Sequence, residues 1–491
     1  MLTKIFYSFH RILGTILSIL FLIWFLSGFV MIYHTFPKVS NRDTYKNMDV
    51  LQGDILPIDS IIKKSDSTIT KLALQSYANK PFFVVSSSGN NSRIFADLSM
   101  QNVRSSTYEQ IKEYAQRWND AEIVQVDTLR ELDQWIPFGR LKKEFPIYKF
   151  YFGDKDKHQL YISSRTGEAL QFTDENNRFW AWLGAIPHWV YFTSLRQNSQ
   201  LWIDVVVWLS GIGSLMCLAG IILGVRSYIV QYRRRKKLKT PYKKIIYKWH
   251  HILGFIFGIF VFTFVFSGMM SLAPVPQWIV KVHNSDIEKK LYAQEPIKLQ
   301  NYILDYHRIF DKYPDEVKSI EWTSFGNKPI YKAVINNRLI TIDASSEEIK
   351  DLSLNEQDIK ERLALVHSEP VTLSLMTEYD NYYVGLSDHL PLPVYKAEID
   401  DADGSTYYIN PKNGNTRYFN TNTKVRRWSY QALHSFKFKL TAENKILWNI
   451  IMWTTMIGGT IVSVSGVWLG FGYLKRKVKK LKKYICSNKH N

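Results

Sequence analysis

Four long stretches without a charged side chain constrain the fold of this chain more than any other feature. They cover residues 12–33, 205–225, 252–279 and 446–474. The hydrocarbon core of a bilayer is crossed by about 20 apolar residues as a helix, which satisfies its own backbone hydrogen bonds where water is absent. Pro274 and Pro276 end the third helix near residue 273, because proline interrupts helical hydrogen bonding. The sequence therefore predicts four membrane-spanning helices.

The basic residues are concentrated beside the ends of these stretches. The formal net charge is +19, from 63 Lys and Arg against 44 Asp and Glu. Ten of the bases lie in residues 226–248 and eight in residues 475–491, while Lys4 and Arg11 precede the first stretch. Such clusters mark the cytoplasmic side of a membrane protein. We expect a bacterial inner-membrane protein with both termini in the cytoplasm and two large periplasmic segments. The remaining charges nearly balance, which leaves no basic face for a nucleic acid.

The chain also repeats itself. Residues 7–14 (YSFHRILG) match residues 247–254 (YKWHHILG) at an offset of 240, and Ser27-Gly28 returns as Ser267-Gly268. At an offset of 246, identical residues return at five positions: Trp182, His188, Trp202, Gly220 and Gly224 match Trp428, His434, Trp448, Gly466 and Gly470. Matches in register among rare residue types indicate a duplicated unit of helix, exported segment and helix.

The exported segments alternate in hydrophobicity with a period of two. Runs of this kind, separated by Gly, Asn or Asp, indicate antiparallel hairpins. Hairpin patterns begin near four prolines, Pro81, Pro146, Pro329 and Pro393. Helical patterns at 107–118 and 356–366 accompany them. The predicted fold is an integral membrane α-helical protein with four transmembrane helices, pseudo-duplicated as 2+2, and two α+β periplasmic domains.

This organisation divides the chain into eight segments. They are residues 1–34 (N-terminal tail and first helix), 35–199 (periplasmic domain 1), 200–230 (second helix), 231–249 (basic cytoplasmic loop), 250–274 (third helix), 275–445 (periplasmic domain 2), 446–474 (fourth helix) and 475–491 (basic cytoplasmic tail).

Several of these motifs resemble the PepSY-associated transmembrane family. The resemblance covers essentially the whole chain. It is most specific at His10–Gly14, His250–Gly254, residues 184–192 (GAIPHWVYF), Asp133-Gln134-Trp135, Tyr382-Tyr383 and the Gly220 and Gly466 pair. The resemblance implies that the exported segments contain PepSY-like modules, each built from a helix and hairpins. Characterised relatives are described as inner-membrane, haem-containing reductases that remove iron from ferric siderophores in the periplasm. Others are known only as iron-regulated membrane proteins.

The resemblance leaves the electron donor open. Some relatives have an attached cytoplasmic flavin-reductase-like domain, whereas only seventeen mostly basic residues follow residue 474 here. A quinol, a partner reductase or another cytoplasmic reductant would then supply the electrons.

The repeat sorts the twelve histidines. Neutral imidazole is a natural axial ligand of haem iron. Together with the resemblance, this predicts two haem b groups held by two repeat-related pairs, His10 with His250 and His188 with His434. Two further histidines, His34 and His251, are possible substitute ligands. The histidines at 158, 283, 307, 367, 389 and 490 are expected at the surface.

Four glycines lie on the helix faces that carry the first histidine pair. They are Gly14, Gly28, Gly254 and Gly268, four and eighteen residues after His10 or His250. A face without side chains lets a flat macrocycle approach the backbone. Packing between helices is the alternative reason for glycine at these positions.

Aromatic residues of the exported segments are candidate substrate contacts. They are Trp135, Tyr148, Tyr382, Tyr383 and Tyr395, together with His389. Aromatic side chains at strand positions usually belong to a core, which is the alternative interpretation.

The leading functional hypothesis is a haem-containing oxidoreductase that passes electrons to a periplasmic ferric chelate such as a ferric siderophore. No catalytic residue is assigned. The alternative is a non-enzymatic membrane protein whose PepSY-like modules bind or inhibit a periplasmic protease or another partner. A metal or solute transporter is disfavoured, because the four apolar cores contain no Asp, Glu, Lys or Arg, which ion pathways usually need.

Overall fold

The computed structural model of the chain describes residues 2–62, 68–77, 80–87, 90–96, 99, 101, 107–293, 296–385 and 390–488. Its α-helices are α1 (Leu2–Met31), α2 (Asn41–Asn47), α3 (Tyr108–Gln116), α4 (Glu175–Leu183), α5 (Ala185–Trp189), α6 (Thr193–Arg196), α7 (Ser199–Arg235), α8 (Ile245–Leu272), α9 (Asp286–Tyr292), α10 (His307–Lys312), α11 (Glu356–Ala364), α12 (Thr421–Arg427), α13 (Leu433–Ser435), α14 (Lys439–Glu443) and α15 (Lys445–Asn488). A π-helical turn (Trp428–Ala432) joins α12 to α13.

The strands are β1 (Ile69–Tyr77), β2 (Lys80–Ser87), β3 (Asn90–Phe95), β4 (Ile123–Leu129), β5 (Ile147–Phe152), β6 (Gln159–Ser163), β7 (Ala169–Thr173), β8 (Val317–Phe325), β9 (Lys328–Ile335), β10 (Arg338–Asp343), β11 (Lys350–Asp351), β12 (Val371–Met376), β13 (Val394–Ile399), β14 (Thr406–Ile409) and β15 (Thr416–Phe419). A hairpin begins near each of the four prolines where the sequence predicts one, and the two strands of each hairpin are antiparallel.

In the part of the chain that the structure describes, four helices are long and apolar enough to cross a membrane, which confirms that prediction. They are α1, α7, α8 and α15. α7 and α15 continue past the predicted apolar stretches into the basic residues that follow them. α8 ends at Leu272, two residues before Pro274, as the proline pattern predicts.

The four long helices form a bundle in which α1 and α8 lie on a diagonal. Each of these two helices packs against both α7 and α15. The bundle core includes Phe21, Phe25 and Val265. A Cβ atom at Gly213 of α7 would lie 2.8 Å from the Phe21 ring, so glycine is required for the close approach of this ring to α7. The diagonal arrangement places residues of α1 and α8 opposite each other across the core.

Strands from the two segments outside the bundle, residues 35–199 and 275–445, form one seven-stranded sheet, ordered β11-β10-β9-β8-β1-β2-β3. The segments meet where β1 pairs with β8, for example Leu72 with Trp322 and Leu74 with Ile320. All four side chains are buried in one core that both segments share. The sequence patterns do not predict this pairing, because alternation fixes which face of a strand is buried but not its neighbour.

Two further sheets of four strands each lie in the described residues outside the bundle, ordered β4-β5-β6-β7 and β12-β13-β14-β15. α3 buries Ile111 and Ala115 against the first sheet, and α11 buries Ile359 and Leu363 against the second. A capping box begins each helix, with Thr107 and Asn355 as the N-cap residues. These are the α+β modules that the sequence predicts, and each lies between two membrane helices in the chain.

Candidate functional site

Four histidines form two facing pairs at the bundle. The ring centroids of His10 on α1 and His250 on α8 lie 6.3 Å apart. Those of His188 on α5 and His434 on α13 lie 6.0 Å apart. The structure thus brings together the two pairs that the sequence repeat proposes.

The first pair is oriented by acceptors on α7 and α15. Nδ1 of His10 donates a hydrogen bond to the carbonyl oxygen of Met216 at 3.0 Å. Nδ1 of His250 lies 2.8 Å from the hydroxyl oxygen of Ser465, and that hydroxyl donates to the carbonyl oxygen of Val462. Because the serine proton is already used, its oxygen accepts from His250. Both imidazoles therefore have their proton on Nδ1.

The second pair is oriented by a serine and a carbonyl in each half. Nδ1 of His188 lies 3.2 Å from both Ser27 Oγ and the Trp24 carbonyl oxygen. Nδ1 of His434 lies 3.0 Å from Ser267 Oγ and 3.2 Å from the Phe264 carbonyl oxygen. Each serine hydroxyl donates to the same carbonyl that the histidine contacts. The repeat of Ser27-Gly28 as Ser267-Gly268 marks these two serines in the sequence, although the repeat alone does not indicate their role.

These contacts leave Nε2 of each histidine available. Within the described residues, no hydrogen bond involves Nε2 of any of the four. His188 and His434 lie outside the spanning helices. Burial lowers the pKa of both imidazoles. Repulsion from His434 also lowers the pKa of His188, to about 4. A neutral imidazole with Nδ1–H donated to the protein presents Nε2 as a metal ligand. Each pair can therefore ligate one metal ion between its two rings.

The second pair is held by two short helices that end in left-handed backbone. The C-cap residue of α5 is Val190 (φ 55°), and that of α13 is Phe436 (φ 48°). This conformation is rare for residues other than glycine and costs about 1–2 kcal/mol. It turns the chain two residues after each histidine.

Two tryptophans tie these short helices to the bundle. Nε1 of Trp202 on α7 donates to the carbonyl oxygen of Trp189 at 2.8 Å. Nε1 of Trp448 on α15 donates to the carbonyl oxygen of Ser435 at 2.7 Å. Each acceptor belongs to the residue that follows a paired histidine, so the indoles fix the position of the histidine-bearing turns.

The His188 cavity, defined as the space lined by His188 and His434, encloses about 740 Å³. Gly28 and Gly268 lie on its walls. Among the lining residues that the structure describes, Lys445 is the sole one with a permanent charge. The space is therefore suited to a large apolar ligand with few polar groups.

The His10 cavity, defined as the space lined by His10 and His250, encloses about 410 Å³. Gly14 and Gly254 lie on its walls, together with two cations, Arg11 and Arg476. A Cβ atom at Gly220 would lie 2.6 Å from Cε1 of His10, so the imidazole rests directly on the backbone of α7. All four predicted glycines thus line a cavity beside a histidine pair.

The two cavities are neighbours in the bundle. Phe21, which is buried, lines both of them. Ser27, which contacts His188, is 17 residues after His10 on α1. At 1.5 Å per residue, the two pairs are separated by about 25 Å along the helix.

The two substitute histidines occupy different places. The His34 ring stacks on Trp180, with centroids 4.5 Å apart, and His34 is not among the residues that line either cavity. His251 lines the His10 cavity, where its ring packs between Tyr228 and Tyr242. Neither belongs to a facing pair. His389 lies outside the described residues.

The candidate aromatic contacts pack within the α+β modules outside the bundle. Trp135 and Tyr383 are buried. Tyr148 and Tyr395 pack against the sheet cores, and the Tyr382 hydroxyl accepts a hydrogen bond from Nε1 of Trp428. None of the five lines either cavity. Their positions match the core interpretation rather than an open binding surface.

One histidine expected at the surface is buried. His367 follows α11 and has 7% of its surface exposed. Its Nε2 atom lies 2.6 Å from the Tyr407 hydroxyl. The expectation of a surface residue was wrong because the turn after α11 packs against β14.

The chain was compared with known protein families. The family model of the PepSY-associated TM region matches residues 7–469. No curated protein matches the chain.

Proposed function

Because the chain belongs to the PepSY-associated transmembrane family, we propose that it is a haem-containing membrane oxidoreductase that passes electrons to a ferric chelate such as a ferric siderophore. The observation that carries the proposal is the spacing of the two histidine pairs. A bond between a metal and an imidazole nitrogen is about 2.0–2.1 Å long. Two imidazoles on opposite sides of one iron ion then have ring centres roughly 6 Å apart. The observed centroid distances are 6.3 and 6.0 Å.

The residues around each pair also fit a haem b group. The cavities are mostly apolar, and glycines beside the histidines leave room for a flat macrocycle. The His10 cavity contains two arginines and, among its described lining residues, no carboxylate. These arginines are suited to the carboxylate groups at the edge of a haem. Haem bound between the histidines would supply a centre that accepts and donates one electron at a time.

The protein's own residues would hold and tune this centre. Carbonyl and serine oxygens keep the Nδ1 protons of the four histidines, which fixes the direction of each Nε2 lone pair. The apolar walls exclude water, which strengthens the electrostatic effect of every nearby dipole. Two sites that share Phe21 as a wall suit electron passage along the bundle.

The proposal includes an orientation. The basic residues at the C-terminal ends of α7 and α15, and those between α7 and α8, would lie in the cytoplasm of a bacterial inner membrane. The His10 pair then lies at the cytoplasmic end of the bundle. The His188 pair and the three sheets lie at the periplasmic end. In this arrangement the chain is a duplicated unit whose halves each supply one histidine to each pair.

The substrate chemistry follows from the properties of iron. Hard oxygen ligands hold ferric iron more tightly than ferrous iron, so one-electron reduction releases the metal and leaves the chelator intact. A quinol or a partner reductase would supply the electrons from the cytoplasmic side.

A reduced-minus-oxidised absorbance spectrum of the purified full-length protein, with haem quantified as the pyridine haemochromogen, tests the proposal. We expect a low-spin bis-histidine b-type spectrum and about two haems per chain, one for each pair. A protein that stays free of haem when expressed with haem supplied would contradict the proposal. That result would favour a partner-binding role for the exported modules.

A further inference from the structure

The two halves of the bundle differ in charge beside the His188 cavity. Residues 421–445, which carry His434, contain six Lys and Arg and one Glu. The matching residues 175–199, which carry His188, contain two Arg and one Glu. The positive charge is therefore concentrated on the His434 side.

Two of these cations border the cavity itself. Lys445 at the start of α15 is one of its lining residues, and its side chain is exposed. Arg426 of α12 is also exposed, and its guanidinium donates to the carbonyl oxygen of Ser271 at 2.8 Å. Ser271 lines the same cavity. Arg426 of α12 and Lys445 of α15 thus flank its edge.

Neither cation is neutralised by the protein. In the described part of the chain, no carboxylate lies within 4 Å of Arg426 or Lys445. Other bases of the segment are engaged: Lys439 is paired with Glu378, and Lys424 donates to the carbonyl oxygen of Gly404. Arg427 is buried. The two exposed cations are therefore free to bind an anion supplied from outside.

We propose that Arg426 and Lys445 form an anion-binding edge of the His188 cavity that selects ferric chelates with a net negative charge. This inference rests on the proposed function, because it names the charge class of the substrate at the same site. Opposite charges at an exposed edge attract at long range and speed association, while a cationic chelate is repelled.

Binding of redox-inert gallium(III) complexes tests this inference without any electron transfer. A linear trihydroxamate chelator with its terminal amine free, acetylated or succinylated gives three complexes of similar shape that are cationic, neutral and anionic. Their affinities are measured calorimetrically for the full-length protein in zwitterionic detergent. The variants are R426Q/K445Q and the control K38Q/K281Q, which also removes two exposed positive charges from the chain.

The wild-type protein is expected to bind the anionic complex about tenfold more tightly than the cationic one at low salt, because the two exposed cations attract an anion and repel a cation. R426Q/K445Q is expected to lose most of this preference, and K38Q/K281Q to keep it. Equal affinity for the three complexes, or an unchanged preference in R426Q/K445Q, would overturn the inference. Loss of the preference when anionic lipid is added would also overturn the inference, because it would show that the edge binds lipid headgroups.

Haem measurements on the same samples separate the two proposals. If R426Q/K445Q loses haem but keeps the charge preference, the cations serve the haem carboxylates and the inference is wrong. If the wild-type protein has no haem but shows the preference, the proposed function fails and the anion-binding edge stands.

Discussion

Nε1 of Trp448 donates a 2.7 Å hydrogen bond to the carbonyl oxygen of Ser435, the residue directly after His434. Trp202 makes the equivalent bond to Trp189, directly after His188. Both acceptors lie on helices of three to five residues, which have few hydrogen bonds of their own. The two indoles therefore tie the histidine-bearing turns to α7 and α15.

Replacement of Trp448 by phenylalanine should loosen His434 and leave the rest of the bundle intact. The lost hydrogen bond is worth about 1 kcal/mol. We expect lower haem occupancy at one of two sites and a shifted midpoint potential for that haem, measured by redox titration. Trp468 on the same helix is 68% exposed, so W468F is the matched control. Equal titration curves for W448F and wild type would show that the indole does not position the histidine.

Removal of a histidine pair should remove one haem and spare the other. H10A/H250A and H188A/H434A are each expected to retain about one haem per chain, because the pairs line separate cavities. Haem content and the reduced spectrum of each variant measure this. H34A should keep both haems, since the His34 ring stacks on Trp180 outside the cavities. A full haem complement in both double variants would refute the ligand assignment.

The sequence predicts the local elements and the histidine pairs well, because both depend on patterns within the chain. Apolar length identified α1, α7, α8 and α15, and the repeat matched His10 to His250 without any distance information. The contacts that orient these histidines were not predictable. The acceptor for His10 is the carbonyl oxygen of Met216, and a backbone carbonyl has no sequence signal.

The long-range contacts between the two segments outside the bundle were equally unpredictable from the sequence. The pairing of β1 with β8 joins residues about 250 positions apart, and no local pattern selects that partner. Phe21 lines both cavities, yet its repeat equivalent is Val261, so the duplication did not indicate it. Burial of His367 likewise depends on how a turn packs on another strand.

The stability of the protein should depend on pH through His367. Burial lowers the pKa of this histidine, despite the opposing effect of Asp401 and Glu369. An unfolded histidine has a pKa of about 6.5. As the pH falls below that value, the unfolded chain binds a proton that the folded chain resists, so the folded state loses stability. Between pH 7.5 and 5.5 we expect the melting temperature to fall roughly a few degrees more in wild type than in H367Q. Parallel curves for the two proteins would contradict this.

A methyl group at Gly220 should displace the His10 ring. The added Cβ atom would lie 2.6 Å from Cε1 and 2.9 Å from Nδ1 of His10, inside van der Waals contact. Overpacking of this kind costs about 1–3 kcal/mol unless the ring moves, and a moved ring loses its hydrogen bond to Met216. Gly224, one helical turn later on α7, has no atom within 4 Å of an added Cβ. G220A is therefore expected to lose the haem of the His10 site, while G224A keeps it. Haem stoichiometry measures both, and a G220A protein with two haems per chain would show that His10 is not held against α7 when haem is bound.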